Sequence, residues 1–113
     1  MHEVAIMEQT LAISLSSAEQ QNAQKIHLVK MRIGAVSGVV PEALSFAFDV
    51  VTQGTIAENA KLAIETVPVV CYCSNCQSNF EPEDFIYQCP NCHQISGKII
   101  AGKEIELTSL EVS

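Results

Sequence analysis

Four of the five cysteines fall into two C-x-x-C units, Cys73-Ser-Asn-Cys76 and Cys89-Pro-Asn-Cys92, with twelve residues between them. Each unit closes a tight turn whose two sulfurs point the same way. Two such turns at the ends of a short hairpin bring four thiolates to about 2.3 Å from a tetrahedral zinc ion. A four-thiolate shell leaves no position for water, so the chemistry implied is structural rather than catalytic. Cys71 is left over. Strand alternation puts it on the face of Cys73, where it could compete as a ligand, but a Cys71–Cys76 pair would break the tight knuckle. Other readings of the cysteines explain less. Disulfides need an export signal and an even count. The C-x-x-C-H pattern at Cys89-Pro-Asn-Cys-His93 fits c-type haem attachment, but leaves Cys73 and Cys76 without a role. A thioredoxin-like redox pair uses one unit of the two.

A second set of metal donors opens the chain at Met1-His2-Glu3. The α-amine of Met1, the His2 amide nitrogen and the His2 imidazole can close two adjacent chelate rings on one metal. Such planar nitrogen donors suit Ni(II) or Cu(II), and binding must displace protons from the amine and the amide. Glu3 can add its amide or its carboxylate. A histidine at position 2 is more often an incidental solvated residue, so spacing alone leaves this site undecided. His27 shares the alternation register of Val29 and reads as a strand residue, while His93 caps the second knuckle or pairs with a sulfur.

The elements that must position these groups can be read in order. From Val4 to about Asn22, Val4, Met7, Leu11, Leu15 and Ala18 recur at three and four, one stripe of a helix that Ile6 and Ile13 widen. Lys25 to Ile33 alternates, with Val29, Met31 and Ile33 on one side of a strand and Lys30 and Arg32 on the other, and Gly34 ends it. A loop with two glycines leads to Pro41, which suits the first turn of a helix to Thr52 with Leu44, Phe48 and Val51 inward and Phe46 and Ala47 broadening that face. After a connector at Thr55–Ala60, Lys61 to about Tyr72 reads as a second strand, with a bulge or edge at Pro68, and Gly97 to Val112 as a third. The cysteine segment is then an insertion between two strands of one sheet.

The totals narrow the function. A chain of 113 residues holds one modest core plus a small lobe that needs a metal to fold. The formal charge of −7 falls to about −9 once four thiolates bind zinc, the wrong sign for nucleic acid. An N-terminal segment that opens on an acidic residue and lacks a long apolar run implies a cytoplasmic protein with no membrane partner. The sequence offers no base, nucleophile or Gly-rich phosphate loop, so an enzyme such as a zinc hydrolase or a thiol redox protein is not expected.

With both metal motifs in view, the whole chain resembles the HypA/HybF family of nickel metallochaperones that mature [NiFe]-hydrogenases. The likeness runs through Met1-His2-Glu3, Arg32-Ile-Gly34, Ser37-Gly-Val-Val-Pro-Glu-Ala-Leu44, Phe46-Ala-Phe-Asp49, Gly54-Thr-Ile-Ala-Glu58 and both C-x-x-C units. It implies nickel at His2 with the terminal amine and amides, Glu3 as adjacent ligand or tuning group, and zinc at Cys73, Cys76, Cys89 and Cys92. It also implies a nickel-handling GTPase partner and delivery to the hydrogenase large subunit; a homodimer is compatible with the chain, and whether urease is also served is left open by the sequence. Relatives carry an acidic residue before the Pro-Glu-Ala-Leu segment where this chain has Val40. The expected fold is α/β: a small mixed three-stranded sheet with two helices on one face and an inserted zinc-ribbon-like lobe. Residues 1–72 with 98–113 would form the nickel-binding domain and 73–97 the zinc lobe. The competing function is a zinc-ribbon interaction module without nickel chemistry.

Overall fold

The computed structural model describes residues 2–83 and 86–113. Helix α1 (Glu3–Gln20), strand β1 (Ile26–Gly34), helix α2 (Pro41–Val51) and strand β2 (Lys61–Val67) come first. They are followed by β3 (Val70–Cys73), β4 (Ser78–Phe80), β5 (Lys98–Ala101) and β6 (Ile105–Val112). The first sheet has the order β2-β1-β6, with β2 parallel and β6 antiparallel to the central strand. A second, antiparallel sheet of order β4-β3-β5 carries the cysteine lobe. The Cα radius of gyration is 17.5 Å, against about 13 Å for a compact chain of this length, so the lobe projects from the larger unit.

The larger unit buries the inward stripe of β1 (Ile26, Val29, Met31, Ile33) under both helices, which contribute Met7, Leu11, Ala18, Leu44, Ala47 and Phe48. Pro41 opens α2 in its first turn, as its missing N–H and fixed φ favour. The buried stripe of α1 keeps Met7, Leu11 and Ala18 as read in the sequence but departs from it at two positions. Val4 and Ile13 are 52% and 58% exposed, and Glu3, Thr10 and Ser14 are buried instead. The hydroxyls make this possible by donating back into the helix, Thr10 to Ile6 O at 2.9 Å and Ser14 to Thr10 O at 2.8 Å. Phe46 does not broaden the inward face of α2. It is 72% exposed, because Leu44, Ala47, Phe48 and Val51 follow the helical period and Phe46 falls on the opposite side. A register shift between Ile26 and Leu28 likewise turns His27 away from the face of Val29. Its Nε2 lies 2.7 Å from Ser113 Oγ at the surface.

The two long strands expected before and after the lobe are each broken in two. Pro68, which offers no N–H, stands where β2 leaves the first sheet and β3 enters the second. Gly102, at φ +117°, separates β5 from β6. Both tethers are stitched to the turn after β1: Ala35 N–H donates to Val67 O and Val36 N–H to Gly102 O, each at 2.8 Å, and Gly34 N–H to Glu104 O at 2.7 Å. The second tether is also pinned by a side chain, since Gly102 N–H donates to Glu104 Oε1 at 2.8 Å.

The Glu104 carboxyl is held below its ordinary value by its own backbone N–H first, then by the Gly102 N–H, with the Arg32 charge adding to them. A carboxyl depressed by folding contributes stability that is complete above the ordinary value and is lost as pH falls through the folded one. Urea midpoints measured from neutral pH down to about pH 3 should therefore fall more steeply for the parent than for Glu104→Gln, which cannot ionise. Parallel curves would show that this pin carries no pH-dependent stability.

Candidate metal centre

The first knuckle is made by a hairpin. Cys73 ends β3 opposite Ser78, and Cys76 lies in the turn that leads into β4. The second is held by Cys89 N–H to Gln94 O at 2.8 Å, His93 N–H to Cys89 O at 2.9 Å, and a bridge between Gln88 and Ile95. The residue after each second cysteine, Gln77 or His93, takes a positive φ of 52° or 66°, which turns the chain sharply away from the sulfurs. The knuckles therefore repeat in backbone as well as in spacing.

All four ligand sulfurs lie within 4.8 Å of one another. Cys73 and Cys92 Sγ are 3.4 Å apart, and Cys76 and Cys89 Sγ 3.9 Å. A zinc tetrahedron with Zn–S bonds of about 2.3 Å has S–S edges of about 3.8 Å, so the cage fits zinc in size as well as in softness. Cys73 and Cys89 are buried, while Cys76 and Cys92 are half-buried and form the outer edge of the cluster. The Gln94 N–H and then the Asn75 amide pull Cys92 down to about 6. Asn91 also pulls on Cys76, but the Cys92 thiol, desolvation and the thiols of Cys89 and Cys73 together push it up to about 11. Four thiols so close resist ionising together unless a cation compensates them.

Cys71 is fully buried and lies opposite Phe80 and Ile99, outside the cluster, and desolvation pushes its thiol up. It is a packing residue of the lobe. His93 is exposed and lies outside the cluster too; its carbonyl accepts from Gln88 Nε2 at 3.0 Å.

His2 is the N-cap of α1. Its side chain is exposed and makes no capping bond, and its carbonyl accepts the Ile6 N–H at 2.8 Å. Glu3 is only 6% exposed and turns inward, where its Oε2 accepts the Val40 N–H at 3.2 Å, tying the start of α1 to the start of α2. The terminal amine first, then the Val40 and Glu3 N–H groups, lower its carboxyl to about 2. Position 40 thus meets Glu3 through its backbone, with the valine side chain half exposed. Met1, the other expected nickel donor, lies outside the described residues. Sequence reasoning missed both the inward turn of Glu3 and the role of Asn75 and Asn91, although an asparagine at the same place in both units was a visible signal.

A two-helix α/β unit with an exposed histidine at a helix start, bearing a lobe built around four clustered thiols, defines a metal-binding protein. The comparisons with known proteins narrow that class. The family described as "Hydrogenase/urease nickel incorporation, metallochaperone, hypA" matches residues 1–112. The chain belongs to this family. It is 62% identical over 112 residues to the hydrogenase maturation factor HypA of a Picosynechococcus species, covering 99% of each chain. Two solution structures share the fold. One is of a HypA protein, at 29% identity and TM-score 0.76, covering 100% of this chain and 97% of the other. The second is of the nickel metallochaperone HypA from Helicobacter pylori, at 28% identity and TM-score 0.68, covering 99% and 97%. The family and the four-cysteine cluster support the two metals expected from the sequence, nickel as cargo and zinc as a structural ion. Among the described residues no helix is long and apolar enough to cross a membrane.

Proposed function

We propose that this chain binds Ni(II) at its N-terminus and delivers it, with a GTPase partner, to the [NiFe]-hydrogenase large subunit in the cytoplasm, without catalysing a reaction itself. In this reading Met1, His2 and Glu3 form the nickel site on the unit of residues 1–72 and 98–113. Cys73, Cys76, Cys89 and Cys92 hold the resident zinc on the lobe of residues 73–97. The relatives named as hydrogenase maturation factors support hydrogenase as the recipient.

The observation that carries the proposal is the position of His2. The first amides of a helix have no acceptor four residues back, so the His2 amide can lose its proton to solvent and its nitrogen can bind a metal without breaking a helical hydrogen bond. Its imidazole is likewise not engaged in capping. Ligands at a chain end can leave one at a time, so an acceptor with softer thiolates can take the cargo without unfolding the core. The Glu3 carboxylate meanwhile fixes the helix start against Val40. Zinc, when bound, supplies a fixed cross-link between the knuckles and no open coordination position.

Calorimetric titration of the zinc-loaded, tag-free protein with Ni(II) tests this beside His2→Ala and a variant with one glycine added before Met1. The parent should bind about one Ni(II) per chain and both variants should lose that site. Equal binding by all three would place nickel elsewhere and favour a zinc-ribbon interaction module.

A further inference from the structure

The two C-x-x-C units share more than their cysteines. Each has asparagine as its third residue, and Asn91 reaches across to the other knuckle. Asn91 Nδ2 donates to Cys76 Sγ at 3.3 Å. Asn75 holds the matching place in the first unit, and its amide helps pull down the Cys92 thiol. The sulfurs chosen are the two half-buried ones, while Cys73 and Cys89 lie on the buried side of the cluster. Asn75 and Asn91 themselves are exposed, so each amide lies between an outer sulfur and solvent.

We propose that Asn75 and Asn91 form a reciprocal brace that locks the two knuckles together and covers the outer lone pairs of the Cys76 and Cys92 thiolates. The inference rests on zinc occupying the four-sulfur cage and is independent of the nickel site. A zinc-bound thiolate keeps lone pairs that can bridge to a second soft metal ion or attack an electrophile. An N–H donated to that sulfur occupies one of them and withdraws charge from it, and groups of this outer kind set how firmly a metal is held. In a protein that also carries nickel, the brace gives the structural cluster a means of refusing the cargo: the thiolates nearest solvent are the ones covered. The two contacts attach to different cysteines on different knuckles, so neither substitutes for the other.

The alternative role for these asparagines is local, since Asn suits tight turns whatever its side chain touches. Aspartate serves turns equally well but has no N–H to give, which makes Asn75→Asp and Asn91→Asp the discriminating variants. Zinc release to a chromophoric chelator should be about tenfold faster in each single variant and about 100-fold faster in the double. In the Co(II)-substituted forms the thiolate-to-metal charge-transfer band should move to longer wavelength. Alkylation by iodoacetamide should speed up at Cys76 and Cys92 ahead of Cys73 and Cys89. Variants with the parent's release rate and cobalt spectrum would overturn the brace and leave a turn role. For the unsubstituted zinc protein, the Asn75 and Asn91 carboxamide protons should exchange with solvent more slowly than those of exposed Asn22, and equal rates would also overturn it. A parent that takes up neither zinc nor cobalt would instead overturn the reading of the cage on which the brace depends.

Discussion

Gly34→Ala is expected to destabilise the protein by at least about 3 kcal/mol, a large effect for adding one methyl group at a strand end. A Cβ on Gly34 would lie 2.0 Å from Gly102 O, 2.1 Å from Gly102 C and 2.5 Å from Lys103 N. All three are backbone atoms, so no side chain can rotate out of the way. The chain segments cross here because the turn after β1 binds both tethers of the lobe through Gly34, Ala35 and Val36. Moving them apart by the ångström or more that the methyl needs would break those three hydrogen bonds, each worth about 1 kcal/mol net. Gly97→Ala is the matching control. It lies beside β5 with open space around its Cβ and no positive φ, and should stay within about 0.5 kcal/mol of the parent. Urea unfolding followed by circular dichroism decides between them; equal midpoints for parent and Gly34→Ala would mean that the crossing can relax cheaply.

That crossing marks the boundary of what could be read in the sequence. Period and punctuation located both helices and the central strand, because alternation at Val29, Met31 and Ile33 and the proline at Pro41 act locally. The cage was legible for the same reason: cysteine spacing is a local constraint, and the sulfurs do converge. What was not legible depends on chains meeting. Pro68 read as a bulge or edge within one strand and Gly102 carried no signal at all, yet they are where the chain passes from one sheet to another. No local signal said that Gly34 must be bare because Gly102 passes over it. On α1 the stripe held at Met7, Leu11 and Ala18 but failed at Val4 and Ile13, because a buried carboxylate and two hydroxyls share the buried face. Their burial is allowed by partners on a carbonyl one turn back and on the N–H of Val40, 37 residues along the chain. Polar groups hide from a hydrophobic stripe whenever the fold supplies such partners.

Loss of zinc is expected to unfold the lobe completely while leaving the larger unit folded. Among the described residues the only fully buried apolar groups of the second sheet and its knuckles are Cys71, Cys73 and Cys89, whereas Ile86, Ile95 and Ile100 are 62%, 69% and 48% exposed. A lobe this poor in buried surface cannot offset the entropy of ordering its chain, so the metal serves as its core. Structural zinc in small peptides contributes about 10–16 kcal/mol of apparent binding free energy at neutral pH, far more than the marginal stability of such a segment. The response should accordingly be all or none. The core under the helices, by contrast, draws on Met7, Ile26, Met31, Ile33, Leu44 and Phe48, none of them in the lobe. Hydrogen exchange on Cys89→Ala, with zinc content assayed in parallel, should show β3, β4 and β5 amides exchanging as in an unfolded chain while those of β1 stay protected. Because β1 also holds the tethers, amides of Ala35 and Val36 should respond as well, and they mark how far the loss spreads. Retained protection in β3 without zinc would show that the lobe folds on its own contacts. Collapse of β1 protection would show that the stitched junction makes the two sheets a single cooperative unit, in which the metal lobe and the surface bearing His2 stand or fall together.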